Sequence, residues 1–102
     1  MELFKISEKI VQNALNYWKN YNIDITSEFA LTKLYEEVWE FSQALLIHNK
    51  QCRPVKHVSK EESKEVLSEE LADVLGLVLV NAHVHGIDLE AALEKKWYNR
   101  EK

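Results

Sequence analysis

Val74-Leu75-Gly76-Leu77-Val78-Leu79-Val80 is the stretch that decides the fold. Seven apolar residues in a row suit a buried strand or the middle of a buried helix equally well by periodicity. The flanks choose between them. Upstream, Ser59-Lys60-Glu61-Glu62 has capping-box spacing, a Ser followed three residues later by a Glu, and good helix formers lead on towards Asp73. Downstream, Gly86 suits the left-handed position that follows a helix C-terminus. No other segment has the composition of a strand that could pair with this one. The sequence therefore predicts one helix from about Ser59 to His85, half polar before Asp73 and apolar all round after it. A helix of that kind needs cover on every face. In so short a chain, part of the cover is expected from a second subunit.

Three further helices are predicted around it. The first spans about Leu3 to Asn20, with Ile6, Ile10, Val11, Ala14, Leu15 and Trp18 at helical spacing. After a polar link, Ser27 is the expected N-cap of the second, with Glu28 in its first turn. This helix runs to about His48, with Leu31, Leu34, Val38, Phe41 and Leu45 as its apolar stripe. Asn49 to Val58, with Pro54 and four basic or His residues, is the one loop of any length. Asp88 caps a last helix through Leu89, Ala92, Leu93, Lys96 and Trp97. Two glycines and one proline in 102 residues agree with long elements and short connections. The expectation is a single all-α, four-helix bundle-like domain over residues 1–102.

A formal net charge of −4, with no basic stripe, argues against nucleic acid as a partner. It also means that a polyphosphate would be repelled unless bound cations reverse the local sign. Cys52 is the single cysteine, so neither an intrachain disulfide nor a thiolate zinc site is expected. Met1-Glu2-Leu3-Phe4-Lys5 lacks the pattern of a signal peptide, and the 74–80 run is too short to cross a bilayer. A cytoplasmic protein without a membrane partner is expected.

Two pairs of carboxylates point to chemistry. Glu37 and Glu40 lie three apart on the second helix, and Glu70 and Asp73 three apart on the third, so each pair stacks on one helix face. With Val38 at the centre of the apolar stripe, Glu37 lies about 100° to one side and Glu40 about 160° round. That would set both at the flank of the stripe, where they could line a cleft. The alternative is a solvated acidic surface, with Lys33 and Glu37 merely a four-apart ion pair worth a few tenths of a kcal/mol. Asp73 resists that account, because it interrupts an apolar stretch and a buried carboxylate needs a cation or strong donors. All the donors are oxygen, there is no Glu-x-x-His, and His83 and His85 diverge on a helix. Mg²⁺, with Mn²⁺ as a substitute, is the expected cation.

Lys33-Leu34-Tyr35-Glu36-Glu37-Val38-Trp39-Glu40, then Glu70-Leu71-Ala72-Asp73-Val74-Leu75 and Gly86-Ile87-Asp88, resembles the MazG-like all-α nucleoside triphosphate pyrophosphohydrolases. That family is marked by Glu-Glu-x-x-Glu, a spacer, and Glu-x-x-Asp, and the likeness covers about residues 27 to 102. The 29 residues between Glu40 and Glu70 make a long spacer, which bears on the 49–58 loop more than on the site.

The resemblance implies hydrolysis of a nucleoside triphosphate between the α and β phosphates, giving monophosphate and pyrophosphate, in nucleotide-pool house-cleaning. Glu37, Glu40, Glu70 and Asp73 match the family's Mg²⁺ ligands. Glu36 and Glu40 are the implied acceptors of a proton from the attacking water. Lys95 and Asn99 match a phosphate-contacting Lys and Asn near the C-terminus, which Lys102 would extend, and Lys33 could add positive charge. Trp18, Trp39, Tyr17, Asn13 and Asn16 are candidates for the base. A homodimer is the first expected assembly and a homotetramer the second. Two other readings compete: a non-catalytic helical dimerisation module, and a relative acting on phosphoribosyl-ATP.

Overall fold

A computed structural model of the chain describes residues 2–99, with side chains described for residues 5–99; Lys102 lies outside this range. It is all helical. The elements are α1 (Glu2–Lys19), α2 (Ser27–His48), a 3₁₀ turn (Pro54–Lys56), α3 (Lys60–Val84) and α4 (Leu89–Leu93), which continues into a π-helical turn (Glu94–Tyr98). The 74–80 run is helical throughout, as its flanks predict.

Local chemistry sets the ends. Ser59 caps α3, its hydroxyl accepting from the Glu62 N–H at 3.1 Å. Asp88 caps α4 through the Ala91 N–H at 3.0 Å. Gly86 takes φ +64°, the left-handed turn that ends α3. The cap of α2 is Thr26 and not Ser27: the Thr26 hydroxyl accepts from the Phe29 N–H, and Ser27 is already helical. Ser and Thr make the same bond, so one-residue placement of the cap was not fixed by type.

α2 and α3 form an antiparallel hairpin and pack along most of their length, while α1 lies against the second half of α3. The core gathers there: Val11, Ala30, Leu79 and Val80 are buried, with Ile10, Ala14, Leu15, Leu77 and Leu89 packed round them. Gly76 lies under α1, where an added Cβ would sit 3.9 Å from Ile10.

The apolar stripe of α2 is turned from where the sequence put it. The line facing α3 is Ala30, Leu34, Glu37, Phe41, Ala44 and His48, all buried or half-buried. Leu31 and Val38 remain 46% and 45% exposed, and Leu75 of α3 remains 49% exposed. The contact line is rotated by about 80° from the Val38 stripe. The physical reason is that α2 is apolar over far more than half its circumference: one side meets α3, and the side through Leu31, Val38 and Leu45 is left largely uncovered by the described residues. The helix predicted to be covered on every face is covered on two. The radius of gyration is 16.2 Å, against about 13 Å for a compact domain of this length, and the extents are 46 × 44 × 22 Å, a slab rather than a sphere.

Candidate metal centre

The rotation of α2 carries Glu37 onto the packed face, opposite α3. One carboxylate oxygen from each of Glu37, Glu70 and Asp73 lies within 4.8 Å of the other two. Opposed oxygens around Mg²⁺ stand about 4.2 Å apart, so the three bracket a space of the right size for one ion. Glu40 is the neighbouring carboxyl that acts most strongly on both Glu37 and Glu70, raising each. Both predicted pairs thus converge, and they do so across the α2–α3 seam.

Their burial is uneven and differs from the sequence argument. Asp73, which that argument took as the buried charge, is exposed; Glu37 and Glu70 are half-buried. One oxygen of each of these two, Oε2, is sealed from solvent and has no hydrogen-bond partner. A buried carboxylate oxygen without a donor is costly. The electrostatics agree. Loss of solvent, followed by the Glu40 carboxyl and the charges of Asp73 and Glu70, pushes Glu37 up to about 7 from an ordinary 4.5. Glu70 is raised too, again by loss of solvent first and then by Glu40 and Asp73. The neighbouring charges acting on these two groups are carboxylates. A site in which acids crowd acids and leave sealed oxygens unbonded lacks positive charge. A divalent cation with a preference for hard oxygen donors would supply it, and the donor set contains nothing softer.

The other predicted residues lie elsewhere. Glu36 is exposed and pairs with Lys33, Oε2 to Nζ at 3.0 Å. Lys33 therefore bonds three residues on, to Glu36, and not four on to Glu37. Its Nζ also lies 4.8 Å from the centre of the Trp18 ring and 5.5 Å from that of Phe29, a cation held on an aromatic surface. Trp18 in turn meets Phe29 edge-on at 5.1 Å and Tyr17 at 4.9 Å. Of the base candidates, Trp18 and Tyr17 are in this cluster; Trp39, Asn13 and Asn16 are exposed outside it. Lys95 and Asn99 sit on and after the π-helical turn, exposed, with the Asn99 N–H donating to Glu94 O at 2.8 Å. They belong to the C-terminal segment, away from the α2–α3 seam. His83 and His85 are exposed and take no part.

Three polar side chains that the sequence did not single out bind α2 to α3. The Asn81 amide donates to Ala30 O at 2.9 Å and to Leu77 O at 2.7 Å. His48 Nδ1 lies 2.7 Å from the buried Ser63 Oγ, and that hydroxyl donates to Lys60 O at 3.0 Å. The single hydroxyl hydrogen is committed, so His48 donates from Nδ1. Asn81 had a signal: like Asp73, it is a polar residue set inside an apolar run.

A concavity of about 600 Å³ lies between α1, the end of α3 and the start of α4, and its lining includes Val11, Leu15, Leu79 and Leu89. It contains none of the clustered carboxylates. Chemistry here follows the charges, not the volume.

Among the described residues no single helix is long and apolar enough to cross a membrane. Comparison with curated proteins and with solved structures finds no significant match. The family model for phosphoribosyl-ATP pyrophosphohydrolase matches residues 19–96, a span that contains α2, α3 and both acidic pairs. The MazG-like resemblance is thereby narrowed to one branch of that all-α superfamily, a branch of hydrolases acting on phosphorus anhydrides. With more than half its length matched, the chain belongs to the phosphoribosyl-ATP pyrophosphohydrolase family.

Proposed function

We propose that this protein hydrolyses the α–β anhydride of a 5′-triphosphate on a nucleotide, releasing pyrophosphate, with Mg²⁺ as cofactor and Mn²⁺ as a substitute. Phosphoribosyl-ATP, the compound named in the family's description, is the first substrate to try. The observation that carries the reading is the convergence of Glu37, Glu70 and Asp73 around two sealed, unbonded oxygens.

Glu37, Glu40, Glu70 and Asp73 would hold the cation. Bound there, it would neutralise charge on the departing pyrophosphate and acidify water. Glu40, exposed at the edge of the cluster, is the residue to accept the water's proton. Glu36 is the second choice, because its carboxylate is engaged by Lys33. Lys33 stands one turn before Glu37 and offers its charge to the phosphates once Glu36 lets it go. Lys95 and Asn99 would reach the phosphates from the C-terminal segment.

The exposed line through Leu31, Val38 and Leu45 on α2, with Leu71 and Leu75 on α3, supports a second copy of the chain as the cover. A homodimer is proposed, with a homotetramer as the second arrangement.

The test is pyrophosphate release from phosphoribosyl-ATP and from a panel of ordinary and modified nucleoside triphosphates, with and without Mg²⁺. A strong preference for phosphoribosyl-ATP places the chain with its family's named reaction. Broad action on modified triphosphates instead supports the house-cleaning role. Orthophosphate as product, or no turnover with any of them, refutes the proposal and leaves the helical dimerisation module.

A further inference from the structure

The four carboxylates repel one another, yet they face each other across a two-helix seam. Something must hold the seam in register. Apolar packing alone does this loosely, because neighbouring registers bury similar side chains.

Two polar contacts bridge α2 and α3, and they lie on opposite sides of the acidic cluster. At one end Asn81 of α3 donates to Ala30 O of α2. At the other, His48 of α2 donates to Ser63 of α3, whose hydroxyl is anchored on Lys60 O. Ala30 comes seven residues before Glu37, and Asn81 seven after Val74. His48 comes eleven after Glu37, and Ser63 eleven before Val74. For antiparallel helices, both contacts therefore specify one and the same register, with Glu37 level with Val74 and Glu40 level with Leu71. In that register Asp73 falls beside Glu37, and Glu70 beside Glu40. A slip of one helical turn would displace one pair from the other by about 5.4 Å, more than the 4.8 Å that now contains the three oxygens.

We propose that Asn81 and His48, with Ser63 as the latter's acceptor, are positioning residues that lock the α2–α3 register in which the carboxylates form a cation site. Neither touches the cluster. Asn81 lies eight residues beyond Asp73 and His48 eight beyond Glu40, about 12 Å along each helix. Both bonds use side-chain donors with fixed direction, so they discriminate registers as apolar contacts do not. The inference rests on the cation reading above.

The experiment compares the parent chain with Asn81→Leu, His48→Leu and His48→Asn. Asparagine can present an N–H close to where histidine Nδ1 presents it, so His48→Asn is the rescue variant. Two readouts are taken: the dissociation constant for Mg²⁺ alone by calorimetry, and the distance distribution between nitroxide labels on Gln43 and Ser68, exposed positions level with each other in this register, diluted with unlabelled chain. Each leucine variant should bind Mg²⁺ at least tenfold more weakly and show a broadened or shifted distribution, and His48→Asn should restore both. If Asn81→Leu does not fold, Ser63→Ala, which removes only a hydroxyl, should show the same two changes. Unchanged distances in the leucine variants overturn the proposal, as does unchanged Mg²⁺ affinity or failure of His48→Asn to restore. Absence of Mg²⁺ binding in the parent chain overturns the cation reading instead, and the label distances then decide the register lock by themselves.

Discussion

Replacing Glu37 by Gln should stabilise the metal-free protein at alkaline pH and abolish its response to magnesium. Glu37 sits on the α2–α3 seam with one oxygen sealed and unbonded, and loss of solvent together with three neighbouring carboxylates moves it from 4.5 to about 7. At about 1.4 kcal/mol for each tenfold change in proton affinity, ionising it costs the fold at most roughly 3.5 kcal/mol. Water on its outer side brings this nearer 2 kcal/mol. The sign is that of a raised carboxyl: the stability is whole below about pH 4.5 and is lost as pH climbs through 7. Glutamine keeps the shape and never ionises. At pH 5, where the wild-type carboxyl is protonated, the two proteins should melt within a few degrees of each other. At pH 8 without metal, Glu37→Gln should melt higher by about 10 °C, taking 4–8 °C per kcal/mol for a chain of this size. Saturating Mg²⁺ at pH 8 should reverse the order, since a ligand at a hundred times its dissociation constant adds about 2.7 kcal/mol to the form that binds it. The assay is thermal unfolding by circular dichroism at one chain concentration. A melting difference that does not change between pH 5 and pH 8, or a magnesium effect equal in both proteins, would refute the reasoning.

Three other outcomes follow from the same geometry. Asp73→Ala removes an exposed carboxylate from a crowd of like charges, so metal-free melting should hold or rise while pyrophosphate release falls at least a hundredfold, about 2.7 kcal/mol of transition-state binding; a large loss of stability would show Asp73 to be structural. Leu75→Glu, or Val38→Glu, places a charge on the uncovered apolar face and should convert a dimer to monomer in sedimentation at micromolar concentration; a well-folded wild-type monomer would contradict the proposed pairing. Ser59→Ala deletes the hydroxyl that accepts from the Glu62 N–H and should cost about 1 kcal/mol, visible as a fall of a few degrees in melting temperature, whereas Ser59→Asn should stay close to wild type.

Much of this molecule is written in local signals. The helix over 74–80 was decided by its caps and by what surrounds it, and Ser59, Gly86 and Asp88 mark boundaries because each fills a backbone need that few residues fill. The acidic pairs were visible for a similar reason: a spacing of three maps directly onto a helix face. What the sequence withheld was the angle of α2. Its apolar residues spread over so wide an arc that two stripes compete, and only packing against α3 chooses the one containing Glu37. The sealed carboxylate oxygens consequently belong to Glu37 and Glu70, and Asp73, expected to be the buried charge, is exposed. Lys33 was legible as a helix-face cation but not as the partner of Glu36 and Trp18, because a long flexible side chain chooses among several neighbours in space. His48 and Ser63 are fifteen residues apart, and nothing in either segment announces the other.

The lopsided interior has a consequence for how this molecule yields. The buried core lies where α1 meets the second half of α3, while the far tip, around Asn49 to Val58, buries no residue and is held by short-range bonds such as that between His57 Nε2 and Cys52 O. Amide exchange should run as a gradient, slowest near Val80 and fastest at that tip, and a protease should strike there first. One cut at the tip would put Glu37 and Glu40 on one fragment and Glu70 and Asp73 on the other, with no cystine to keep them joined. Proteolytic nicking is thus a means of dividing the acidic constellation into halves, and reassembly of those halves would report how far helix pairing alone recreates it.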